Sequence, residues 1–384
     1  MVIVLTGGGS GGHITPLLAV ADELKKLSPN CTLIYIGQRG DTMSDIPSKN
    51  PSIDKVFTVR AGKFRRYHGE FWRTLLDIPT LCKNIRDFFW LIIGSWQSYL
   101  LLKQLKPSVI FTPGGFVGVP VGFAASRRHI PFITHDLDAI PGLANRINAR
   151  WAAIHAVAMP VELYNYPKDK TFYVGVPVSD KYQPVTQELQ ADYRRELGIA
   201  SSARVLCVTG GGLGADRLNR AVAKIVPSLL QTYSELIVFH IAGVKNQAKL
   251  SAQYDEQLST DIRGSVVVKG FVDDLYRYSA AADVIVARAG ATNLAEFAIQ
   301  KKACIIVPNP LLTGGHQLKN TQHLEKAGAA ILVQESDMDQ QLLPSIHELF
   351  DDTKKREVLA QTLGKFAKPD ASKRLAELIL SAIS

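Results

Sequence analysis

Leu5-Thr6-Gly7-Gly8-Gly9-Ser10-Gly11 and Val208-Thr209-Gly210-Gly211-Gly212-Leu213-Gly214 are nearly one phrase written twice, each time closing an apolar run and preceding a helix-like stretch. A strand that ends in glycines ahead of a helix puts unpaired backbone N–H groups, and the positive end of the helix dipole, at the carboxyl edge of a parallel sheet, where a phosphate can come close. Two such turns predict an α/β protein of two Rossmann-like domains whose parallel sheets face an interdomain cleft. The rest of the chain keeps that rhythm. Short apolar runs at Val2 to Leu5, Thr32 to Ile36, Lys55 to Val59, Val109 to Thr112, Phe132 to Thr134, Ile154 to Ala158 and Phe172 to Val174 alternate with amphipathic stretches. They are followed by Val205 to Thr209, Leu236 to Ile241, Val266 to Val268, Val284 to Ala287, Cys304 to Val307 and Ala330 to Val333. Such alternation reads as βαβ units. Prolines and polar residues after Gly175 mark a linker, giving domains 1–178 and 179–367, with a final amphipathic helix in 368–384 expected to pack back on the first.

A length of 384 residues fits two cores better than one, and 46% hydrophobic against 21% charged residues supplies two buried sheets. Mean hydropathy is +0.05, yet the richest apolar run, Phe88-Phe89-Trp90-Leu91-Ile92-Ile93-Gly94, is far short of the ~20 residues of a membrane span. The N-terminus opens on a strand with no basic leader, so no signal peptide is expected. Cys31, Cys82, Cys207 and Cys304 are scattered without C-x-x-C spacing, as reduced thiols in a cytosolic protein are. A net charge of +9 favours an anionic partner: nucleotide, nucleic acid or an anionic membrane surface. Neither glycine turn has the full G-x-G-x-x-G cadence with an acid at the end of the next strand, so a dinucleotide site is not indicated.

Four further segments narrow the reading: Gly7 through Pro16, Gly114-Gly115-Phe116-Val117-Gly118-Val119-Pro120, His135 with Gly142-Leu143-Ala144-Asn145, and Arg288-Ala289-Gly290-Ala291-Thr292-Asn293-Leu294-Ala295-Glu296. With His316-Gln317-Leu318-Lys319-Asn320 and Leu324 through Ala330, they resemble, over nearly the whole chain, the signatures of the MurG family of bacterial transferases. That resemblance implies a GT-B architecture and an inverting transfer of N-acetylglucosamine from UDP-GlcNAc to lipid I (undecaprenyl-pyrophosphoryl-MurNAc-pentapeptide), giving lipid II for peptidoglycan. It further implies a peripheral protein on the cytoplasmic face of the bacterial cell membrane, with anionic inner-leaflet lipid and other cell-wall synthesis proteins as partners and no nucleic acid.

Inverting transfer needs a base for the attacking hydroxyl and stabilisation of the departing diphosphate. His13, directly after the first glycine turn, suits the base near neutral pH; the bland reading is a histidine capping its own helix. By resemblance Ser10, Gly11, Gly12, Thr15, Gly114, Gly115, His135, Asp136, Asp138 and Asn145 line the acceptor side. Gly210, Gly211, Gly212 and Gly214 face the donor diphosphate, as do the amides of Gly290, Ala291 and Thr292 at a helix N-terminus. Glu296 accepts from the two ribose hydroxyls, a vicinal diol offering two donors to one carboxylate; otherwise it is an ordinary helix glutamate. Phe271 and Val272 read uracil, while Gln317 and Asn320, with His316 as a further contact, meet the sugar hydroxyls. Arg288 either adds positive charge or pairs structurally with Asp283 or Asp273. No His/Cys/Asp cluster has metal spacing, and Asp136-Leu137-Asp138 spells D-x-D only in the acceptor half, so no metal and no cofactor beyond the co-substrate UDP-GlcNAc are expected.

The departures are concentrated. His135-Asp136-Leu137-Asp138 stands for the family's His-Glu-Gln-Asn. Gly210-Gly211-Gly212-Leu213-Gly214-Ala215-Asp216 stands for Gly-Gly-Ser-Gln-Gly-Ala-Arg, and Ser179 replaces an arginine in the linker. Two cations are lost and one anion gained near a diphosphate, where charge-assisted bonds are worth ~1.5–3 kcal/mol each, with Arg217 or Arg220 as the candidates to compensate. These changes keep open another lipid-linked acceptor, or a nucleotide-sugar-binding module with weak turnover. Between Arg60 and Lys106, cations (Arg65, Arg66, Arg73, Lys83, Arg86, Lys103) interleave with Phe64, Phe71, Trp72, Phe88, Phe89, Trp90 and Trp96. That is the composition of an interfacial element, with part of the aromatic set expected in the core. Single-stranded nucleic acid suits the same mixture less well in a chain without an RNA-binding signature.

Overall fold

The computed structural model describes residues 1–8, 11–41, 45–65, 77–212, 214–310 and 315–383. It falls into two compact units, Met1–Ser179 with Lys368–Ser384, and Asp180–Ala367. The first carries β1 (Val2–Thr6), β2 (Thr32–Gln38), β3 (Lys55–Val59), β4 (Val109–Thr112), β5 (Phe132–Asp136), β6 (Ile154–Val157) and β7 (Thr171–Tyr173) in the order β3-β2-β1-β4-β5-β6-β7. The second carries β8 (Arg204–Thr209), β9 (Leu236–Ile241), β10 (Val266–Lys269), β11 (Val284–Ala287), β12 (Cys304–Ile306) and β13 (Ile331–Leu332), ordered β10-β9-β8-β11-β12-β13. Every pairing is parallel. Each of the thirteen apolar runs read from the sequence overlaps a strand. The inner strands are continuous apolar runs because helices cover both faces of each sheet, leaving no solvated side to alternate toward.

Strand order reverses between β1 and β4 in the first sheet and between β8 and β11 in the second. In open parallel sheets, ligands bind outside the carboxyl ends of the strands at such a switch point. The turns and helix starts that follow these four strands hold Gly7-Gly8, Gly114-Gly115, Gly210 to Gly212 and Gly290 to Glu296, so the topology selects most of the segments that the motifs single out.

Two helices depart from simple layering. Helix Ala371–Ser381 buries Leu375, Ala376 and Ile379 in the same core cluster as Leu17, Val20 and Leu24 of helix Gly11–Leu27, so the chain's last helix completes the first unit. Helix Ile78–Leu105 starts on Pro79 with the Asp77 carboxylate accepting from the Thr80 amide, and its buried positions include Asp87, Gly94, Ser98 and Leu102. Outward it shows Ile85, Phe88, Phe89, Ile92, Trp96 and Tyr99. The usual amphipathic pattern is thus largely inverted. Close backbone approach explains Gly94: a Cβ there would lie 1.8 Å from the Arg60 carbonyl oxygen. Buried Asp87 accepts from the Lys63 amide at 3.2 Å, Arg65 Nη1 at 2.7 Å and Arg86 Nη2 at 2.8 Å, and against the effect of burial the two arginines hold its carboxyl below the usual range. Of the aromatic residues expected partly in the core, Trp90 is half-buried under the Arg86 guanidinium at 4.3 Å, whereas Phe88, Phe89 and Trp96 are exposed. Phe71 and Trp72 lie outside the described residues. No helix among the described residues is long and apolar enough to cross a membrane. Cys31, Cys207 and Cys304 are buried free thiols and Cys82 is exposed.

Candidate functional site

At the first switch point, the strand ends set the geometry. Buried Tyr35 on β2 donates its hydroxyl to the Gly7 carbonyl at 2.6 Å, fixing the loop after β1. Gly8 and Gly115 pack backbone against backbone. Half-buried His13, in the first turn of helix Gly11–Leu27, places Nδ1 3.1 Å from the Pro113 carbonyl oxygen. A carbonyl only accepts, so Nδ1 carries the proton, and a neutral ring then offers its lone pair at Nε2, as a base requires. Ser10 lies outside the described residues, while Gly12 and Thr15 are exposed on the helix's first two turns.

Beside His13, the loop after β4 and the end of β5 form a buried polar cluster. A Cβ on Gly114 would sit 3.4 Å from Asn145 Nδ2 and 3.5 Å from His13 Cε1, so these groups are neighbours. Asn145 Nδ2 donates to the His135 carbonyl at 2.8 Å and to Asp136 Oδ1 at 2.9 Å, and Tyr166 donates to Asp136 Oδ2 at 2.8 Å. The aspartate that stands for the family's glutamate is thereby committed on both oxygens. Burial still pushes its carboxyl up to about 6, against those two hydrogen bonds. Tyr166 stacks on His155 at 4.3 Å, and His155 Nδ1 meets Thr134 Oγ1 at 3.0 Å. Fully buried His135 uses Nε2 on the Gly175 carbonyl at 2.9 Å, and burial holds its ring down at about 4, hence neutral. Its Nδ1 and Asn145 Oδ1 are buried acceptors with no hydrogen-bond partner among the described residues. Asp138 is half-buried next to this cluster. Tyr166 carries no motif, which is why sequence reasoning passed over it.

The second switch point is built from two turns. Gly211 and Gly214 adopt φ of +80° and +73°, and a Cβ on Gly214 would lie 2.1 Å from the Ala242 carbonyl oxygen, so glycine alone fits there. Behind this turn Asn219 and Asn246 both donate to the Ala242 carbonyl, at 2.9 and 3.0 Å. Buried His240 bridges Tyr254 at 3.0 Å and Asn219 at 3.2 Å, and burial depresses its ring to about 3. This neutral network rigidifies the loop expected to meet a diphosphate, and no sequence signal announced it.

After β11, helix Ala291–Gln300 begins at Gly290 with no side-chain cap, so the positive end of its dipole lies at this strand end. Ala291 and Thr292 are buried in its first turn. Glu296 is 7% exposed, and burial pushes its carboxyl up to about 8, opposed by one hydrogen bond donated by Tyr182. Its Oε2 has no partner among the described residues. Phe271 and Val272 are half-buried in the loop after β10. Gln317 and Asn320 are buried; Gln317 Oε1 accepts from the Asn309 amide at 2.8 Å and Asn320 Nδ2 donates to the Ala289 carbonyl at 3.3 Å, so both also hold loops in place. His316 is half-buried at the start of helix His316–Lys326.

The cations need a correction. Arg288 is buried and pairs with Glu335 at 2.5 Å, not with Asp283 or Asp273, and it also donates to the Val307 carbonyl at 3.2 Å. Asp283 is taken by Arg194 at 2.8 Å. Arg217 pairs with the same Glu335 at 2.6 Å and Arg220 with Asp216 at 3.0 Å, so the two candidates for compensation are engaged in this conformation. Both arginines are more than half exposed. The exposed Arg220–Asp216 pair is worth ~0–1 kcal/mol, whereas Glu335, 4% exposed, binds Arg217 and Arg288 together.

Glu296 also sets a pH dependence. Its folded value lies above that of an unfolded glutamate, so its contribution to stability is full below about 4.5 and is lost as pH rises through about 8. Glu296→Gln removes that loss: the variant is expected to gain melting temperature over the wild type at pH 8.5, with the gain shrinking toward pH 5. A difference independent of pH contradicts this.

With the geometry in place, kinship fixes the family. Residues 3–157 match the glycosyltransferase family 28 N-terminal domain and residues 205–375 its C-terminal domain. The UDP-N-acetylglucosamine–N-acetylmuramyl-(pentapeptide) pyrophosphoryl-undecaprenol N-acetylglucosamine transferase of Leuconostoc citreum is 30% identical over 386 residues, covering 100% of this chain and 99% of the relative. The chain belongs to the MurG-type transferases of glycosyltransferase family 28. The Clostridium kluyveri member is 33% identical, covering 89% of this chain and 88% of its own. Among solved structures, Acinetobacter baumannii MurG superposes with a TM-score of 0.67 at 22% identity, covering 99% of both chains. The S. aureus MnaA–UDP co-structure does so at 0.67 and 12% identity, covering 99% of this chain and 96% of that one. The same fold thus persists at 12% sequence identity.

Proposed function

We propose that this chain transfers N-acetylglucosamine from UDP-N-acetylglucosamine to lipid I, with inversion, to give lipid II. The observation that carries the reading is full-length kinship with transferases named for this reaction, in a chain that keeps a tautomer-defined histidine at one switch point and a buried glutamate behind an uncapped helix at the other. In the reaction, the acceptor hydroxyl gives its proton to His13 Nε2 as its oxygen bonds to the anomeric carbon. The bond from that carbon to the diphosphate oxygen breaks, and UDP departs with the electron pair. The amides of Gly290 to Thr292 and the turn Gly210 to Gly214 meet the diphosphate; Glu296 takes the ribose diol, Phe271 and Val272 the uracil, and Gln317, Asn320 and His316 the sugar. Gly114, Gly115, His135, Asp136 and Asn145 shape the acceptor side. No metal takes part in this reading. The test is incubation with labelled UDP-N-acetylglucosamine and lipid I or a short-chain analogue, with and without EDTA. Labelled disaccharide lipid at equal rates supports it, and UDP binding without product from any lipid acceptor sinks it.

The outward face of helix Ile78–Leu105 is in this reading the membrane contact, placing the protein peripherally on an anionic inner leaflet. An exposed row of Ile85, Phe88, Phe89, Ile92 and Trp96 beside Lys83 and Arg86 is what an interfacial helix presents. Phe89→Ser combined with Trp96→Ser is expected to cut recovery with anionic vesicles in flotation by about an order of magnitude, since burying each large apolar side chain is worth roughly 1.5–3 kcal/mol at most. The wild type is expected to float better with anionic than with neutral vesicles; equal recovery would remove the electrostatic part.

A further inference from the structure

We infer that Tyr182 is a built-in competitor of the nucleotide: its hydroxyl holds the Glu296 carboxyl that the ribose must take, and donor binding proceeds by exchange of one hydroxyl for two. The inference rests on the reading of Glu296 as the ribose-binding group. Glu296 is 7% exposed, Tyr182 is its one hydrogen-bond donor among the described residues, and Oε2 is left unpartnered. A buried carboxyl group with one of its acceptor positions filled is undersatisfied, and a vicinal diol would supply two donors to it.

Tyr182 lies between the group read as the ribose site and the helix that follows the uracil loop. Its ring meets Tyr276 edge-on, with centroids 6.0 Å apart and planes at 71°, and Tyr276 lies in helix Leu275–Ala281, just beyond Phe271-Val272. The tyrosine therefore reaches from the element that follows the uracil loop to the ribose-binding carboxyl. Its segment, residues 182–186, has no helix or strand, and it is tied to helix Ala291–Gln300 where the Val185 amide donates to the Gln300 carbonyl at 3.3 Å. The edge contact and the hydrogen bond are each worth about 1 kcal/mol and the half-buried ring sits on a segment without helix or strand; exchange requires that this segment lift the ring while the unit stays folded. Its hydroxyl fills one acceptor position of Glu296 while no nucleotide is present. The nucleotide-free state is thus stabilised at the expense of donor affinity.

The test is calorimetric titration of the full chain with UDP for the wild type, Tyr182→Phe, Glu296→Ala and the double variant. Tyr182→Phe removes a bond present only without nucleotide, so UDP is expected to bind roughly 3- to 10-fold more tightly. In the Glu296→Ala background the same change is expected to do nothing, because the hydroxyl has no carboxyl to hold. Unchanged or weaker binding by Tyr182→Phe overturns the inference and makes Tyr182 a permanent partner of Glu296. Equal tightening in both backgrounds overturns it too. If Glu296→Ala itself leaves UDP affinity untouched, the assignment of the ribose site fails, a result distinct from the other two. Tyr182→Leu, with its melting curve, repeats the measurement if the phenylalanine variant folds poorly.

Discussion

His13→Ala is expected to lower N-acetylglucosamine transfer by about 10²- to 10⁴-fold, the usual contribution of a positioned general base, while UDP binds as before. The split follows from where the residue sits. His13 belongs to the first unit, at the loop after β1, whereas every group assigned to UDP follows β8, β10 or β11 or opens helix His316–Lys326 in the second. Its Nδ1 is spent on the Pro113 carbonyl, which aims and polarises the ring but takes no part in the proton transfer. His13→Asn, which keeps a donor for that carbonyl and loses the base, is expected to be as inactive as the alanine variant. Turnover within a few-fold of wild type in either variant would remove His13 from the chemistry and return it to the structural role of tying helix Gly11–Leu27 to the loop after β4.

Glu296→Ala is expected to weaken UDP binding by about 30-fold or more, since two hydrogen bonds to an ionised acceptor are lost at ~1.5–3 kcal/mol each and about 1 kcal/mol of that is returned by freeing Tyr182. The carboxyl carries its own signature. Burial holds it up at about 8 without nucleotide, so it is mostly protonated at pH 7, whereas a diol that donates twice favours the ionised form. Binding therefore releases a proton from this group, and affinity rises as pH approaches 8. Titration in two buffers of different ionisation enthalpy measures that release, which the Glu296→Ala variant should lack. Equal proton release by both proteins would mean that the carboxyl stays protonated in the complex.

The two glycine phrases and the alternating apolar runs were legible because they answer to local rules. A strand buried on both faces must be apolar throughout, and a strand-to-helix turn that approaches a neighbouring backbone must lack a Cβ. Gly214, against the Ala242 carbonyl, shows the second rule, and β4, buried at every residue, the first. The candidate residues were legible to the extent that they lie in these turns. Tyr166, Tyr182 and Glu335 were not, because each acts on a partner 30, 114 or 47 positions away. No pattern in the sequence marks one tyrosine among twelve.

By itself, then, the sequence determined two parallel α/β sheets, their glycine turns and the family, because strand burial, turn geometry and motif order are all written along the chain. Tertiary structure decided how the polar groups are spent. It gave Arg288 and Arg217 to Glu335, committed Asp136 to Asn145 and Tyr166, fixed the His13 tautomer through Pro113, and turned the aromatic face of helix Ile78–Leu105 outward. The reason is physical: a charge or hydrogen bond is satisfied by whatever lies within about 3 Å, and that distance is set by the folding of remote segments onto one another.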